Sequence, residues 1–110
     1  MPGKSIIFES DYPTPYLPRT NVFDRLFPEE GGPLATFSPK LPAYIDGLDG
    51  RVISRGELKD RALRVVTGLR KLGIQRGDTA CLWGINSLEW ATAIYGLFAA
   101  GAVVSPANVA

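Results

Sequence analysis

The sequence predicts an α/β fold, and three patterns in its second half carry that prediction. Two short apolar strands flank the turn at residues 47–50, and an amphipathic helix follows them. A short apolar run at residues 79–83, a helix of about a dozen residues and a second strand then form one βαβ unit. Such a unit joins parallel strands through a right-handed crossover, so the second pair of strands is predicted to be parallel.

The first 42 residues form a segment of a different kind. Eight of the nine prolines lie there, namely Pro2, Pro13, Pro15, Pro18, Pro28, Pro33, Pro39 and Pro42. Because proline fixes φ and removes the backbone donor, we expect an extended segment without long helices or central strands. One short helix fits residues 21–27, and Pro28 ends it. We therefore divide the chain into residues 1–42 and a partial α/β domain at residues 43–110.

The hairpin of that domain is predicted at residues 43–46 and 51–54, and the helix after it has clear boundary signals. Ser54 and Glu57 have the spacing of a capping box, and Gly73 stands where a left-handed cap ends a helix. One face of the helix is apolar; it consists of Leu58, Ala62, Val65, Val66, Leu69 and Leu72.

The βαβ unit has weaker signals at its ends. Asn86 is the predicted N-cap of the second long helix, at residues 88–100, and Gly101 ends it. The last strand is predicted at residues 102–105, before Pro106. The helix is apolar on most sides, which indicates that it needs protein around it.

Composition excludes several classes of function. The formal net charge is +1 and no basic patch stands out, so no nucleic-acid partner is predicted. The absence of histidine excludes Ser-His-Asp and Cys-His catalysis and the usual histidine-containing metal sites. A single cysteine, Cys81, excludes an internal disulfide and favours an intracellular setting. No apolar core follows the first residues, so they are not typical of a secretory signal.

Two patterns resemble functional motifs and have simpler explanations. Gly96 and Gly101 have the glycine spacing of a phosphate-binding loop, but Ala102 and Val103 replace the lysine and hydroxyl that should follow. Residues 90–110 carry no charge, which is compatible with a membrane anchor. Gly101 and Pro106, however, interrupt this apolar stretch. We therefore favour a buried helix followed by a strand, and predict no membrane association.

Three further sets of residues have a structural and a functional interpretation. Cys81 is expected to be a small core residue of a buried strand and not a nucleophile. Asn86 either caps a helix or contacts a ligand at the carboxyl end of a strand. A solvated helix face or an acidic partner accounts for the basic residues Arg61, Arg64, Arg70 and Lys71.

An ordered set of short runs resembles the start of the adenylate-forming enzymes, which include acyl-CoA synthetases, 4-coumarate:CoA ligases, luciferases and peptide-synthetase adenylation domains. The runs are Tyr44-Ile-Asp46, Gly50-Arg-Val-Ile-Ser54-Arg-Gly-Glu57-Leu58, Gly68-Leu69, Leu72-Gly73-Ile-Gln-Arg-Gly77-Asp78, Leu82-Trp-Gly-Ile-Asn86-Ser-Leu-Glu89 and Gly96-Leu-Phe-Ala-Ala-Gly101-Ala-Val-Val-Ser-Pro106-Ala-Asn108. Residues 18–27 are most similar to the N-terminal segment of 4-coumarate:CoA ligase-like enzymes.

The resemblance implies an incomplete N-terminal part of the large domain of such an enzyme. The family adenylates a carboxylate with ATP and then forms a thioester, usually with CoA. Its Ser/Thr/Gly-rich phosphate loop, its ribose-binding Asp and Arg and its C-terminal catalytic lysine have no counterpart in this sequence. We therefore assign no catalytic, cofactor-binding or metal-binding residue here, and ATP, Mg and CoA are implied only for a full-length member.

The expected function is the N-terminal portion of an ATP-dependent acyl- or aryl-acid:CoA ligase, inactive alone and partnered by the rest of the ligase. The alternative is a stand-alone interaction module that pairs its open sheet edge with another chain. The acid substrate is not specified, because the family's pocket-lining segments lie downstream. The resemblance is compatible with a cytoplasmic or a peroxisomal location.

Overall fold

A computed structural model describes residues 6–29 and 36–109, and an α/β architecture is confirmed there. The elements in chain order are α1 (Val22–Leu26), β1 (Pro42–Ile45), β2 (Val52–Ser54), α2 (Arg55–Lys71), β3 (Thr79–Trp83), α3 (Leu88–Ala99) and β4 (Val103–Ala107). β1 and β2 pair antiparallel, whereas β3 and β4 pair parallel. The predicted hairpin, both long helices and the βαβ unit are therefore present.

The hairpin turn is stabilised by hydrogen bonds between its own residues, which pair backbone groups of the turn. Asp46 accepts a hydrogen bond on its side chain from the Leu48 amide at 2.9 Å, and its own amide donates to the Arg51 carbonyl at 2.8 Å. Gly50 has a φ of +74°, which a side chain would strain. These contacts fix β1 against β2 directly before α2.

Helix α2 begins with the predicted capping box. The Ser54 hydroxyl accepts from the Glu57 amide at 3.3 Å, and the Glu57 carboxylate accepts from the Ser54 amide at 2.8 Å. The hydrogen bond from the Ser54 amide to the Glu57 carboxylate, with a further one from the Ser54 side chain, holds the pKa of Glu57 below its ordinary value. Gly73 ends the helix with a φ of +89°.

The apolar face of α2 is only partly as predicted. Leu58 and Ala62 are buried, but Leu72 is 80% exposed. The helix ends at Lys71, so Leu72 belongs to the C-terminal turn, where no described residue covers it. Leu72 therefore lies just beyond the helix whose apolar face was predicted to include it.

Replacing Ser54 by alanine is expected to destabilise the protein by about 1 kcal/mol, because a helix donor loses its partner. Urea denaturation followed by circular dichroism measures the change. Thr67→Ala, on the exposed side of the same helix, is the control and should have little effect. Equal losses in the two variants would contradict a capping role for Ser54.

Helix α3 begins at Leu88, as predicted, but its N-cap lies one residue after the predicted cap, Asn86. Ser87, with extended backbone angles, accepts from the Trp90 amide at 3.0 Å, whereas Asn86 precedes the cap and is exposed. Asn86 as N-cap was therefore wrong, because the hydroxyl of Ser87 already satisfies that donor. Among the described residues, no helix is both long enough and apolar enough to cross a membrane.

Strand β4 continues through Pro106, where we had predicted it to stop. Pro106 pairs in register with Leu82, and Ala107 pairs with Trp83. The strand tolerates proline because the missing N–H lies on the side away from β3, so no bond between the two strands is lost.

The long helices pack closely against each other. Gly96 of α3 faces α2, where a Cβ added at residue 96 would lie 2.4 Å from Cγ1 of Val65. A separate cluster of Ile53, Leu58 and Leu88 joins β2, α2 and the start of α3. The core therefore lies between the helices and the hairpin, while α3 covers one face of the β3–β4 pair.

Candidate functional site

The glycine motif has a packing role rather than a phosphate-binding one. Gly96 is buried within α3 against Val65, and Gly101 has a φ of +72° in the turn that follows. A phosphate cradle needs free backbone N–H groups at the start of a helix, and these glycines lie inside a helix and after its end. Gly96 and Gly101 therefore do not form a phosphate-binding loop.

Cys81 is exposed, so its prediction as a core residue was wrong. Its neighbours on the same face of β3, Thr79 and Trp83, are also exposed, whereas Ala80 and Leu82 are partly buried on the opposite face. Only the second face is covered by α3, and a short apolar strand does not reveal which of its faces is covered.

Arg70 has a structural role that the sequence did not reveal. Its guanidinium donates to the Ile74 carbonyl at 2.9 Å and to the Ala100 carbonyl at 2.8 Å. These carbonyls lie beyond the last turns of α2 and α3, where helices carry partial negative charge. Arg70 therefore ties two helix ends together, while Arg61, Arg64 and Lys71 are exposed on α2.

A cleft of about 920 Å³ lies at the same end of the helices. Arg19, Arg70, Arg76 and Asp24 contribute its charged side chains, and residues 98–104 form one wall. The Asp24 carboxylate accepts a hydrogen bond from the side-chain amide of Asn21 at 2.7 Å. The Arg70 guanidinium already donates to two carbonyl oxygens. Two of the four charged side chains in the lining thus make structural contacts, Asp24 with the N-cap of α1 and Arg70 with the ends of α2 and α3.

A tyrosine pair fastens the hairpin to α3. The hydroxyls of Tyr44 and Tyr95 lie 3.0 Å apart, and Phe27 meets the Tyr95 ring edge-on at a centroid distance of 5.9 Å. Burial, reinforced by the bond to Tyr44, raises the pKa of Tyr95 to about 12. A phenol that holds its proton so firmly is unsuited to acid–base catalysis near neutral pH.

Alkaline titration should reveal this environment. The folded pKa of Tyr95 lies above its ordinary value of 10.0, so its contribution to stability is complete below pH 10 and is lost as the pH rises toward about 12. We expect Tyr95→Phe to remove part of the alkaline loss of stability, measured by urea denaturation across that range. Tyr12→Phe, at an 82% exposed residue, is the control; identical slopes in both variants would contradict the assignment.

The acidic residues near the hairpin turn pair with one arginine. The Arg51 guanidinium lies 2.7 Å from the Asp49 carboxylate and 3.0 Å from that of Glu89. Hydrogen bonding lowers the pKa of Asp49 and of Glu89 and raises the pKa of Arg51. The described ranges contain no cluster of three metal-ligating side chains. Arg51 thus links the turn to α3, a contact across 38 residues that no local pattern predicts.

Comparison with known proteins identifies the family to which this architecture belongs. Residues 35–110 match the family model described as AMP-binding enzyme. The chain belongs to this family. Its described residues supply packing and capping contacts.

The similar proteins are several times longer than this chain. 4-Coumarate–CoA ligase 4 of Arabidopsis thaliana is 30% identical over 97% of the chain and 19% of its own length. Apo MatB of Rhodopseudomonas palustris matches with a TM-score of 0.70 and 33% identity, over 82% of this chain and 17% of that one; a further structure of MatB has ATP bound. The N-terminal domain of FACL13 from Mycobacterium tuberculosis matches with a TM-score of 0.65 and 32% identity, over 81% of this chain and 21% of that one. The chain thus spans less than a fifth of the length of the curated relatives it matches.

Proposed function

We propose that this chain is the N-terminal portion of an ATP-dependent acyl- or aryl-acid:CoA ligase and is inactive alone. The observation that carries the proposal is the match of residues 35–110 to the AMP-binding family, with relatives that are acid–CoA ligases in name. The complete protein would adenylate a carboxylate with ATP and magnesium and transfer the acyl group to CoA.

The residues of this chain would serve that reaction as scaffold. Three sets of contacts illustrate this role. Ser54 and Glu57 cap the start of α2, Arg51 links the hairpin turn to Glu89 of α3, and Arg70 links the end of α2 to that of α3. None of them presents an unpaired nucleophile or a phosphate-binding loop. We therefore attribute adenylation and thioester formation to segments supplied by the rest of the ligase.

The open parallel pair favours a second candidate, a stand-alone module that binds another chain through its sheet. β3 and β4 form a two-stranded sheet, and none of the other described strands joins it. Parallel sheets are ordinarily covered on both faces, so this pair needs more protein around it.

An intracellular location, cytoplasmic or peroxisomal, accords with a ligase and with the single cysteine.

Acid-dependent ATP–pyrophosphate exchange tests the proposal. Residues 1–110 replace the corresponding segment of R. palustris MatB, and the fusion is assayed beside the 110-residue chain and MatB lacking that segment. We expect exchange from the fusion alone, because only the fusion combines the scaffold with the nucleotide-binding parts. Exchange by the isolated chain, or a folded fusion without exchange, would refute the proposal; the latter result together with a co-purifying partner would favour the binding module.

A further inference from the structure

We propose that the chain binds a small organic phosphate in the cleft of about 920 Å³ at the ends of α2 and α3, and that Arg19 and Arg76 hold the phosphate group. Ligand pockets in proteins ordinarily enclose about 300–1,000 Å³, so the cleft has the size of a small-molecule site. We call it the arginine cleft, after the three arginines that line it, Arg19, Arg70 and Arg76. The inference goes beyond the proposed function, because the expected ligand binds to residues of this chain alone.

Arg76 lies in the turn between α2 and β3, and its side chain packs against the turn that follows α3. The Gly77 amide donates to the Gly101 carbonyl at 2.9 Å, and this bond joins the two turns. A Cβ added at Gly101 would lie 3.0 Å from Cγ of Arg76, so the arginine side chain fills the space that the glycine leaves. The fold thus holds the base of the Arg76 side chain in place at the wall of the cleft.

Arg19 reaches the same cleft from the segment before α1. The Thr20 amide donates to the Pro18 carbonyl at 2.9 Å, which places Arg19 at the centre of a tight turn. Asn21 then caps α1 by accepting from the Asp24 amide at 2.8 Å. The backbone on both sides of Arg19 is therefore fixed, and two arginines from distant parts of the sequence line one cleft.

The guanidinium groups of Arg19 and Arg76 have no partner in residues 6–29 and 36–109, where neither forms an ion pair or a side-chain hydrogen bond. The Asp78 carboxylate, close to Arg76 in sequence, accepts from the Gln75 amide at 2.7 Å instead. Asp24 is the one acidic residue in the described lining, and its carboxylate accepts from the N-cap side chain of α1. Because a guanidinium carries several N–H donors and no acceptor, both arginines keep their donors for a ligand.

The charge of the lining matches that of a phosphate monoester. Three arginines and one aspartate give the described lining a formal charge of +2, whereas the whole chain carries +1. A phosphate monoester carries about −1.5 to −2 at pH 7 and has three acceptor oxygens. Guanidinium groups donate to two of these oxygens at a time, a geometry that suits a phosphate held between two arginines. A single carboxylate would leave half of this positive charge unbalanced.

The remaining wall of the cleft is apolar, which favours a ligand with an organic body. Val22, Phe98 and Val104 contribute to this wall, and Val22 is 51% exposed. An apolar group that covers these side chains removes them from water, which stabilises the complex. Inorganic phosphate would leave the apolar wall exposed. A small organic phosphate, with its charged group at the arginines and its body against this wall, therefore fits both parts of the lining.

The arginine cleft lies at the amino end of β4, since Val103, the first residue of that strand, belongs to the lining. Open α/β sheets ordinarily hold their substrates outside the carboxyl ends of the strands, which is the opposite end. We therefore do not identify the ligand with the acid or the nucleotide of the proposed reaction. A ligand in this cleft contacts α1 and the ends of both long helices, so its binding would stabilise their packing.

Calorimetric titration of phenyl phosphate into the 110-residue chain tests the site. Arg19→Gln and Arg76→Gln are each expected to weaken binding at least about tenfold, because a hydrogen bond to a charged group is lost. Arg64→Gln is the control; it removes the same charge from the exposed side of α2 and should change the affinity less than about twofold. Circular dichroism verifies that each variant is folded. No saturable binding by the folded parent chain, or equal weakening in all three variants, would overturn the proposal.

Asp24→Asn tests the charge of the cleft through a gain in affinity. Asparagine keeps an oxygen that accepts from the N-cap side chain, but it removes the one negative charge of the described lining. We expect phenyl phosphate to bind about threefold more tightly, since a like charge no longer repels the phosphate. A misfolded variant cannot produce this gain. Unchanged or weaker binding by the folded variant would contradict a phosphate in this cleft.

Further probes separate the parts of the ligand. Phenol has the apolar body without the phosphate, and inorganic phosphate has the charge without the body. We expect each to bind at least about tenfold more weakly than phenyl phosphate, because each forms only one of the two sets of contacts. Either of them binding as tightly as phenyl phosphate would overturn the proposal. A peptide of glutamates that binds more tightly than phenyl phosphate would also overturn it and indicate a docking surface for an acidic protein.

The folded MatB fusion tests whether the cleft stays open in a ligase. We expect the fusion to bind phenyl phosphate, and Arg76→Gln in the fusion to weaken that binding at least about tenfold, as in the chain. Loss of the Arg76-dependent binding in the fusion would show that the rest of the ligase fills the cleft, and would overturn the proposal. Because the titration does not depend on pyrophosphate exchange, this result leaves the proposed function to its own test.

Discussion

Gly96→Ala is expected to destabilise the protein by about 1–3 kcal/mol, because the contact between α2 and α3 has no room for a methyl group. The added Cβ would lie 2.4 Å from Cγ1 and 2.6 Å from Cβ of Val65, and 3.3 Å from the Ala62 carbonyl oxygen. Cβ of Val65 is fixed to the backbone, so the helices themselves must separate. Urea denaturation of the variant and the parent chain, followed by circular dichroism, measures the loss.

Gly68→Ala provides the matched control. Gly68 also lies within a long helix, but nothing is within 4 Å of a Cβ added there. Alanine at residue 68 should stabilise the protein by about 0.4–1 kcal/mol, because it reduces the freedom of the unfolded chain. Stabilisation by both substitutions would contradict the close packing of α2 on α3.

Leu58→Ala is expected to cost about 2–5 kcal/mol, since it empties the centre of the cluster that joins the hairpin to the helices. Leu58 is 2% exposed, and it packs with Ile53 and Leu88. The same denaturation experiment measures the change. A large loss would establish that this cluster, small as it is, forms in the 110-residue chain.

Leu63→Ala separates core packing from helix content. Leu63 lies on the same helix but is 45% exposed, so its truncation should cost clearly less than that of Leu58. Both substitutions introduce the residue with the highest helix propensity, which leaves burial as the main difference. Similar losses at the two positions would mean that α2 does not pack as described.

Local patterns predicted most of the secondary structure because each signal acts over a few residues. The spacing of Ser54 and Glu57 gave the start of α2, and the freedom of Gly73 and Gly101 to adopt positive φ gave the ends of both long helices. The parallel pairing of β3 and β4 followed from the length of the helix between them. Handedness and chain geometry restrict such a connection to very few topologies.

The errors arose where distant parts of the chain decide the outcome. Cys81 is a small apolar residue that only a further layer of protein would cover, and a sequence pattern does not show where that layer is. Asn86 failed as a cap because its neighbour Ser87 performs the same chemistry one residue later. Pro106 stays in β4 because its missing donor faces outward, which depends on register.

The roles of Gly96 and Arg70 also depend on contacts between distant parts of the chain. The missing Lys and Ser/Thr after Gly101 argued against phosphate binding from the sequence alone, and the packing of Gly96 against Val65 supplies the positive explanation. Arg70 was grouped with a solvated face because its acceptor at Ala100 lies 30 residues away. Such contacts become visible only when the helices are placed together.

The intact mass of the native polypeptide that carries this sequence is the most direct test of the central claim. An antibody raised against the 110-residue chain recovers the protein from its source, and mass spectrometry gives its mass. Because the chain covers only 19% of a relative such as 4-coumarate–CoA ligase 4, we predict a mass several times the 11.9 kDa of this sequence. A native polypeptide of 11.9 kDa, found without a companion chain that supplies the remaining ligase segments, would contradict the claim.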